Sequence, residues 1–124
     1  MRDIETIDDI KQLVDTFYGS VQADDLIGPI FNQVVENRWP QHLEKMYRFW
    51  QSILLHEPSY SGKPFPPHLK LDINHLHFDR WIRLFELTVN GLFQGSNATT
   101  AIERAKLMGA LFQAKHAFLR SEEG

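Results

Sequence analysis

The chain has no cysteine, so disulfides, zinc–thiolate sites and a thiol nucleophile are all excluded. It has no surplus of positive charge either. Thirteen Lys and Arg against sixteen Asp and Glu leave a net charge of −3, which argues against nucleic acid and acidic membranes as partners. No run approaches the roughly 18 uninterrupted apolar residues of a membrane-spanning helix. The opening MRDIETIDD is acidic and lacks the basic and apolar regions of a secretion signal. No segment alternates with period two for long enough to be a strand, and no repeat or low-complexity tract breaks the chain. These absences leave the expectation of a soluble, cytoplasmic, all-α protein. A length of 124 residues suits a single domain, 1–124, with one sizeable core.

What the chain has in abundance is aromatic side chains: nine Phe, three Trp and three Tyr. They fall on helical stripes. Ile7, Ile10, Leu13, Phe17 and Val21 recur three to four apart, behind a Thr6–Asp9 pair with the spacing of a capping box. Asp24 to Pro29 breaks that helix, and Ile30 and Phe31 belong to a short helical turn. Asn37 is placed to cap a second long helix, with Pro40 tolerated in its first turn; His42, Met46, Phe49 or Trp50, and Ile53 share its face. A third long helix carries Phe78, Trp81 or Ile82, Phe85, Val89, and Leu92 or Phe93 on one side. Gly95-Ser96-Asn97 ends it and can cap a last helix whose stripe is Ile102, Ala105, Met108, Leu111 or Phe112, and Phe118 or Leu119.

Between the second and third long helices, residues 56–67 hold four prolines and one glycine, which spells an ordered loop. Loops of that length in a compact domain usually carry function, and this one runs into His68. A loop histidine taken alone is most often a solvated side chain. By the same standard Tyr18, His42 and Trp81 each read as ordinary core or near-core residues.

Their joint order says more. Phe17-Tyr18, Gly28-Pro29-Ile30-Phe31, Trp39-x-x-His42-Leu43, Phe49-Trp50, Tyr60-x-Gly62-x-Pro64, His68-Leu69 and His77-Phe78-x-x-Trp81-Ile82-x-Leu84-Phe85 follow one another along the chain. In this order and spacing the sequence resembles the group III truncated haemoglobins, from about Thr6 to Phe118. The absence of a Gly-Gly pair favours group III over the other two truncated groups.

The resemblance implies a shortened globin fold, a two-over-two helical sandwich, around haem b. His68 matches the proximal ligand to iron, on a helix reduced to about one turn inside the proline-rich segment. Such a histidine must present one neutral ring nitrogen on the porphyrin axis while the other is held by a hydrogen bond. Prolines on its N-terminal side supply rigidity where a long helix does not. Tyr18 and Trp81 match the distal polar positions, where phenol and indole can donate to a bound gas, and His42 matches the distal gate. Phe31, Met46, Phe49, Trp50 and Phe85 would form apolar walls, and Lys63, His77 and Arg80 are the cations available to the propionates.

The implied activity is binding of a diatomic gas (oxygen, nitric oxide or carbon monoxide). Two donors would slow release, so oxygen or nitric oxide redox chemistry suits the site better than bulk storage. Dioxygenation of nitric oxide and peroxidase-like turnover are the candidate enzyme activities. The chain carries no flavin or nicotinamide motif, so any reductase is a separate partner. Two other classes compete. A non-haem metal hydrolase would draw on His68, His75 and His77 with Asp72 or Asp79, but His75 and His77 point to different helix faces and no His-Glu-x-x-His signature occurs. A cofactor-free sensor or interaction module would need none of Tyr18, His42 and Trp81.

Overall fold

A computed structural model describes residues 1–57 and 73–123, with side chains as far as Phe118. Among these residues five helices follow one another: α1 (Ile7–Ala23), α2 (Gly28–Val35), α3 (Trp39–Leu54), α4 (His75–Leu92) and α5 (Ser96–Glu123). There is no strand among them. Beyond its first two residues, the loop expected over 56–67 lies outside the described residues. So does His68.

The start of α1 is the expected capping box. The Asp9 N–H donates to Thr6 Oγ1 at 3.2 Å and the Thr6 N–H donates back to the Asp9 carboxylate at 3.0 Å, satisfying donors that a helix start leaves unpaired. At α4, Asn74 Oδ1 accepts from the Leu76 N–H at 2.9 Å, while His77 Nδ1 accepts from the Asn74 N–H at 3.0 Å.

The second long helix departs from the expected cap. Arg38, not Asn37, is the residue that precedes α3, and no side chain caps it. Glu36 takes φ 54° after α2, which turns the chain sharply. Arg38 then folds its guanidinium back onto the Val34 and Val35 carbonyls, 2.6 and 3.3 Å away. Pro40 sits in the first turn as expected.

The last helix is capped from the far end of the chain. The Asp3 carboxylate accepts the Asn97 and Ala98 N–H groups at 3.0 and 2.9 Å, the Gln94 N–H donates to the Arg2 carbonyl at 3.0 Å, and Asn97 Nδ2 donates to the Ile4 carbonyl at 2.7 Å. Gly95 makes this closure possible. Its φ of 146° is open to glycine, and a Cβ there would overlap the Asp3 side chain.

α1 packs on α3 and α4, α4 packs on α5, and α3 reaches α5; the pairs α1/α3 and α4/α5 form the two layers of a two-over-two sandwich. Phe17 from α1 meets Phe85 from α4 edge to face, centroids 5.1 Å apart, and Trp50 from α3 stacks on Phe85 at 5.0 Å. Burying each of these large apolar side chains contributes about 1.5–3 kcal/mol. The α5 stripe holds along most of the described helix: Ala105 is buried, and Ile102 and Met108 pack half-buried against the core. Ala98, Ala101 and Ala105 are buried, whereas Leu111 and Phe118 are 58% and 60% exposed. α5 lies close to α4 through its small residues: a Cβ on Gly109 would come within 2.6 Å of Ile82 Cδ1. Of the neighbours Leu111 and Phe112, Phe112 is the half-buried one; Leu119, the alternative to Phe118, has its side chain outside the described residues.

Candidate functional site

Tyr18 stands near the C-terminal end of α1, where the apolar stripe carries it inside; it is 6% exposed. Four rings surround it, with centroids at 4.8 Å for Phe17, 5.0 Å for His42, 5.8 Å for Trp39 and 6.2 Å for Phe31. His42, one turn into α3, meets Trp39 edge-on at 5.7 Å. Trp81, from α4, joins through Phe17 at 5.8 Å and lies parallel to Phe85 at 6.2 Å. The structure thus brings Tyr18, His42 and Trp81, which are 24 and 39 residues apart in sequence, to one aromatic cluster.

One polar atom of this cluster is poorly served. His42 Nε2 is buried with no hydrogen-bond partner among the described residues. Burial, helped by the charge of Lys45, lowers the His42 pKa and favours a neutral imidazole. Burial alone, with no hydrogen bond contributing, pushes the Tyr18 phenol up, so it remains a protonated donor. An unsatisfied buried polar group costs about 1–3 kcal/mol. A ligand that engages such groups recovers part of that cost.

Of the expected apolar walls, Phe49, Trp50 and Phe85 are buried in the core, and Phe31 and Met46 are half-buried against it. Two expected propionate cations have other partners. His77 closes the α4 capping box, and Arg80 donates to Asp24 Oδ1 at 2.8 Å, tying α4 to the end of α1. Lys63 and His68 lie outside the described residues. Among the described residues no three His, Asp or Glu side chains come together as a metal site, so His75, His77 and Asp79 form none by themselves. No helix among them is long and apolar enough to cross a membrane.

A family model for bacterial-like globins matches residues 4–115. The group 3 truncated hemoglobin of Campylobacter jejuni subsp. jejuni is 33% identical over 115 residues, covering 88% of this chain and 91% of its own. The chain is a bacterial-like globin of the group III truncated type. A crystal structure of a group III truncated hemoglobin from Campylobacter jejuni superposes on this globin with a TM-score of 0.81 at 30% identity, covering 93% of this chain and 94% of the other.

Globin membership implies haem binding, and the residues present fit that group: a flat apolar macrocycle suits the aromatic walls, and a polar ligand on it would meet the orphaned His42 Nε2. Sequence reasoning missed two contributors. Phe17 is the ring shared by Tyr18 and Trp81, and Trp39 packs on both Tyr18 and His42. The i, i+3 spacing of Trp39 and His42 was the available signal.

Proposed function

We propose that this globin holds haem b through His68 and binds oxygen or nitric oxide on the side lined by Tyr18, His42 and Trp81, for redox chemistry rather than bulk storage. When bound, the haem supplies an iron at which a diatomic gas binds and exchanges electrons. The chain supplies the rest. Tyr18 and Trp81 donate hydrogen bonds to a ligand that gains negative charge, which favours oxygen over the less polar carbon monoxide. Neutral His42 stands beside Tyr18, where its free nitrogen can take or return a proton. Phe31, Met46, Phe49, Trp50 and Phe85 keep water away. A separate reductase supplies electrons.

The observation that carries this reading is the buried, unpartnered Nε2 of His42 beside a phenol whose pKa is raised by burial alone. Titration of the haem-free protein with haem tests it: an intense Soret band is expected. His68→Ala is expected to lose haem or to need added imidazole to retain it. An unchanged His68→Ala spectrum, with haem lost in His77→Ala instead, would move the ligand to another histidine.

A further inference from the structure

All three tryptophans lie on one unbroken path of ring contacts. From Trp50 the path runs to Phe85 at 5.0 Å, to Trp81 at 6.2 Å, to Phe17 at 5.8 Å, to Tyr18 at 4.8 Å and to Trp39 at 5.8 Å. Trp50 is buried, and Trp39, the first residue of α3, is only half-buried and reaches solvent. Core packing alone asks for apolar volume and would be met by Phe or Leu. Indole and phenol differ from those in chemistry as well as shape, because they yield one electron at potentials an oxidised haem protein reaches, whereas Phe does not. Each redox-active ring on the path is in contact with the next or separated from it by one Phe, a gap that electrons tunnel across readily.

We propose that Trp39 is an electron-exit residue, through which oxidising equivalents formed in the haem pocket pass by way of Trp81 and Tyr18 to reducing phenols in solution. The inference rests on the haem reading above. The balance is that of a peroxidase: one hydrogen peroxide takes two electrons and two protons and becomes two waters, while two phenols each lose one electron and one proton. Within the chain each electron moves inward one at a time. The base nearest Tyr18 is the His42 imidazole, its ring centroid 5.0 Å from that of the phenol. On losing its electron Tyr18 passes its proton to that imidazole as the two side chains close to hydrogen-bond distance, and takes it back when Trp39 reduces it. Trp39 releases its indole proton to solvent and regains electron and proton from the phenol.

Tyr47 provides the contrast. It lies on the same helix, its hydroxyl donates to the Asp15 carboxylate, and Lys11 Nζ stands 5.8 Å from its ring centroid. Accessibility and a waiting proton acceptor favour its oxidation, yet it is in ring contact with no member of the path.

The experiment mixes haem-loaded protein, verified by its Soret band, with one equivalent of hydrogen peroxide and a nitroso spin trap, then maps the adduct by peptide mass spectrometry. Most of the label is expected on Trp39 and little on Tyr47. In Trp39→Phe the label should retreat to Tyr18 and Trp81, and oxidation of a dextran-linked phenol, too large for any pocket, should be largely lost. Trp39→Tyr, still redox-active, should restore both. Equal labelling of Tyr47 and Trp39 in the wild type, or undiminished oxidation of the tethered phenol by Trp39→Phe, would overturn the relay. If Trp39→Phe fails to retain haem, the wild-type label distribution and Trp39→Tyr still decide. Absence of a Soret band would remove the haem reading and the relay together; a Soret band with label elsewhere removes the relay alone.

Discussion

The N-terminal clasp and the Tyr18 cluster spend polar groups in opposite ways. At the clasp, Asp3 accepts from three backbone N–H groups, of Ile4, Asn97 and Ala98, and Asp9 accepts from two more and from Arg2. At the cluster, a buried histidine nitrogen has no partner among the described residues, and the phenol beside it is raised by burial alone. Buried polar groups in folded proteins are normally paired, so a fully paired region serves stability, and an unpaired one points to a ligand. Deleting a polar atom should therefore cost stability at one end and gas retention at the other.

The largest effect is expected at the cluster. A hydrogen bond to a partly charged ligand is worth roughly 1.5–3 kcal/mol, and about 1.4 kcal/mol is tenfold in an equilibrium constant. Tyr18→Phe should speed oxygen release by about ten- to a hundredfold, most of the loss appearing in the off-rate. Carbon monoxide release should change far less, and the melting temperature of the haem-free protein should hold or rise slightly. Stopped-flow release of both gases checks this; equal acceleration of both would leave Tyr18 as a packing residue. Trp81→Phe should act the same way more weakly, and the double mutant should fall short of the sum if both donors share one network.

The clasp comes next. Asp3→Ala strips the N–H partners from Asn97 and Ala98 and should cost about 1–3 kcal/mol in denaturant unfolding, with no effect on oxygen release. Gly95→Ala should destabilise by more than about 1 kcal/mol, since both φ and space forbid the added carbon. A change in gas kinetics without a stability loss in either variant would break the contrast.

The two regions also titrate in different windows. Burial pushes the Asp3 and Asp9 carboxyls up, but the backbone N–H groups they accept outweigh it and hold both below the usual range. Their contribution is therefore present above the unfolded value near 3.9 and lost as pH falls through the lower folded values. His42 is depressed by burial, so the unfolded chain takes its proton first, and stability declines as pH drops below about 6.5. His42→Phe should flatten the upper part of the acid unfolding curve and Asp3→Asn the lower part. Circular dichroism at fixed denaturant across pH reads both.

The same contrast explains what the sequence made legible. The helix stripes and the Thr6–Asp9 box are local patterns, readable within one or two turns. Tyr18, His42 and Trp81 became a set only through resemblance, because nothing in their spacing announces that Phe17 brings them together. Asp3 as the cap of α5 bridges 94 residues and leaves no local trace, so Ser96 and Asn97 looked sufficient. Asn37 misled because a good capping residue has no effect where the backbone, turned at Glu36, starts the helix two residues later. Further along α5 periodicity leaves Leu111 or Phe112 as alternatives, and Phe112 is the one that turns inward. Periodicity finds the apolar face, with Ile102, Ala105 and Met108 on it, but does not choose between neighbours one residue apart.

The smallest effect is expected at Arg80, and it bears on the propionate role that the resemblance implies for that residue. Arg80 is 41% exposed, and its partner Asp24 is 10% exposed. Partly exposed ion pairs contribute about 0–1 kcal/mol. Asp24 also accepts the Leu26 and Ile27 N–H groups at 3.0 Å each, which hold the turn into α2 whether or not Arg80 is present. Arg80→Met keeps the aliphatic stem and should lose no more than about 1 kcal/mol, whereas Asp24→Ala removes the turn acceptor too and should lose more, about 1–2 kcal/mol. Equal losses would mean that the ion pair, not the turn, gives Asp24 its value. Haem affinity supplies the second readout. With its guanidinium committed to Asp24, Arg80 has little left for a propionate, so Arg80→Met should bind haem as tightly as the wild type. A weakened haem complex together with an unchanged melting temperature would instead make Arg80 a propionate partner that leaves Asp24 when haem binds.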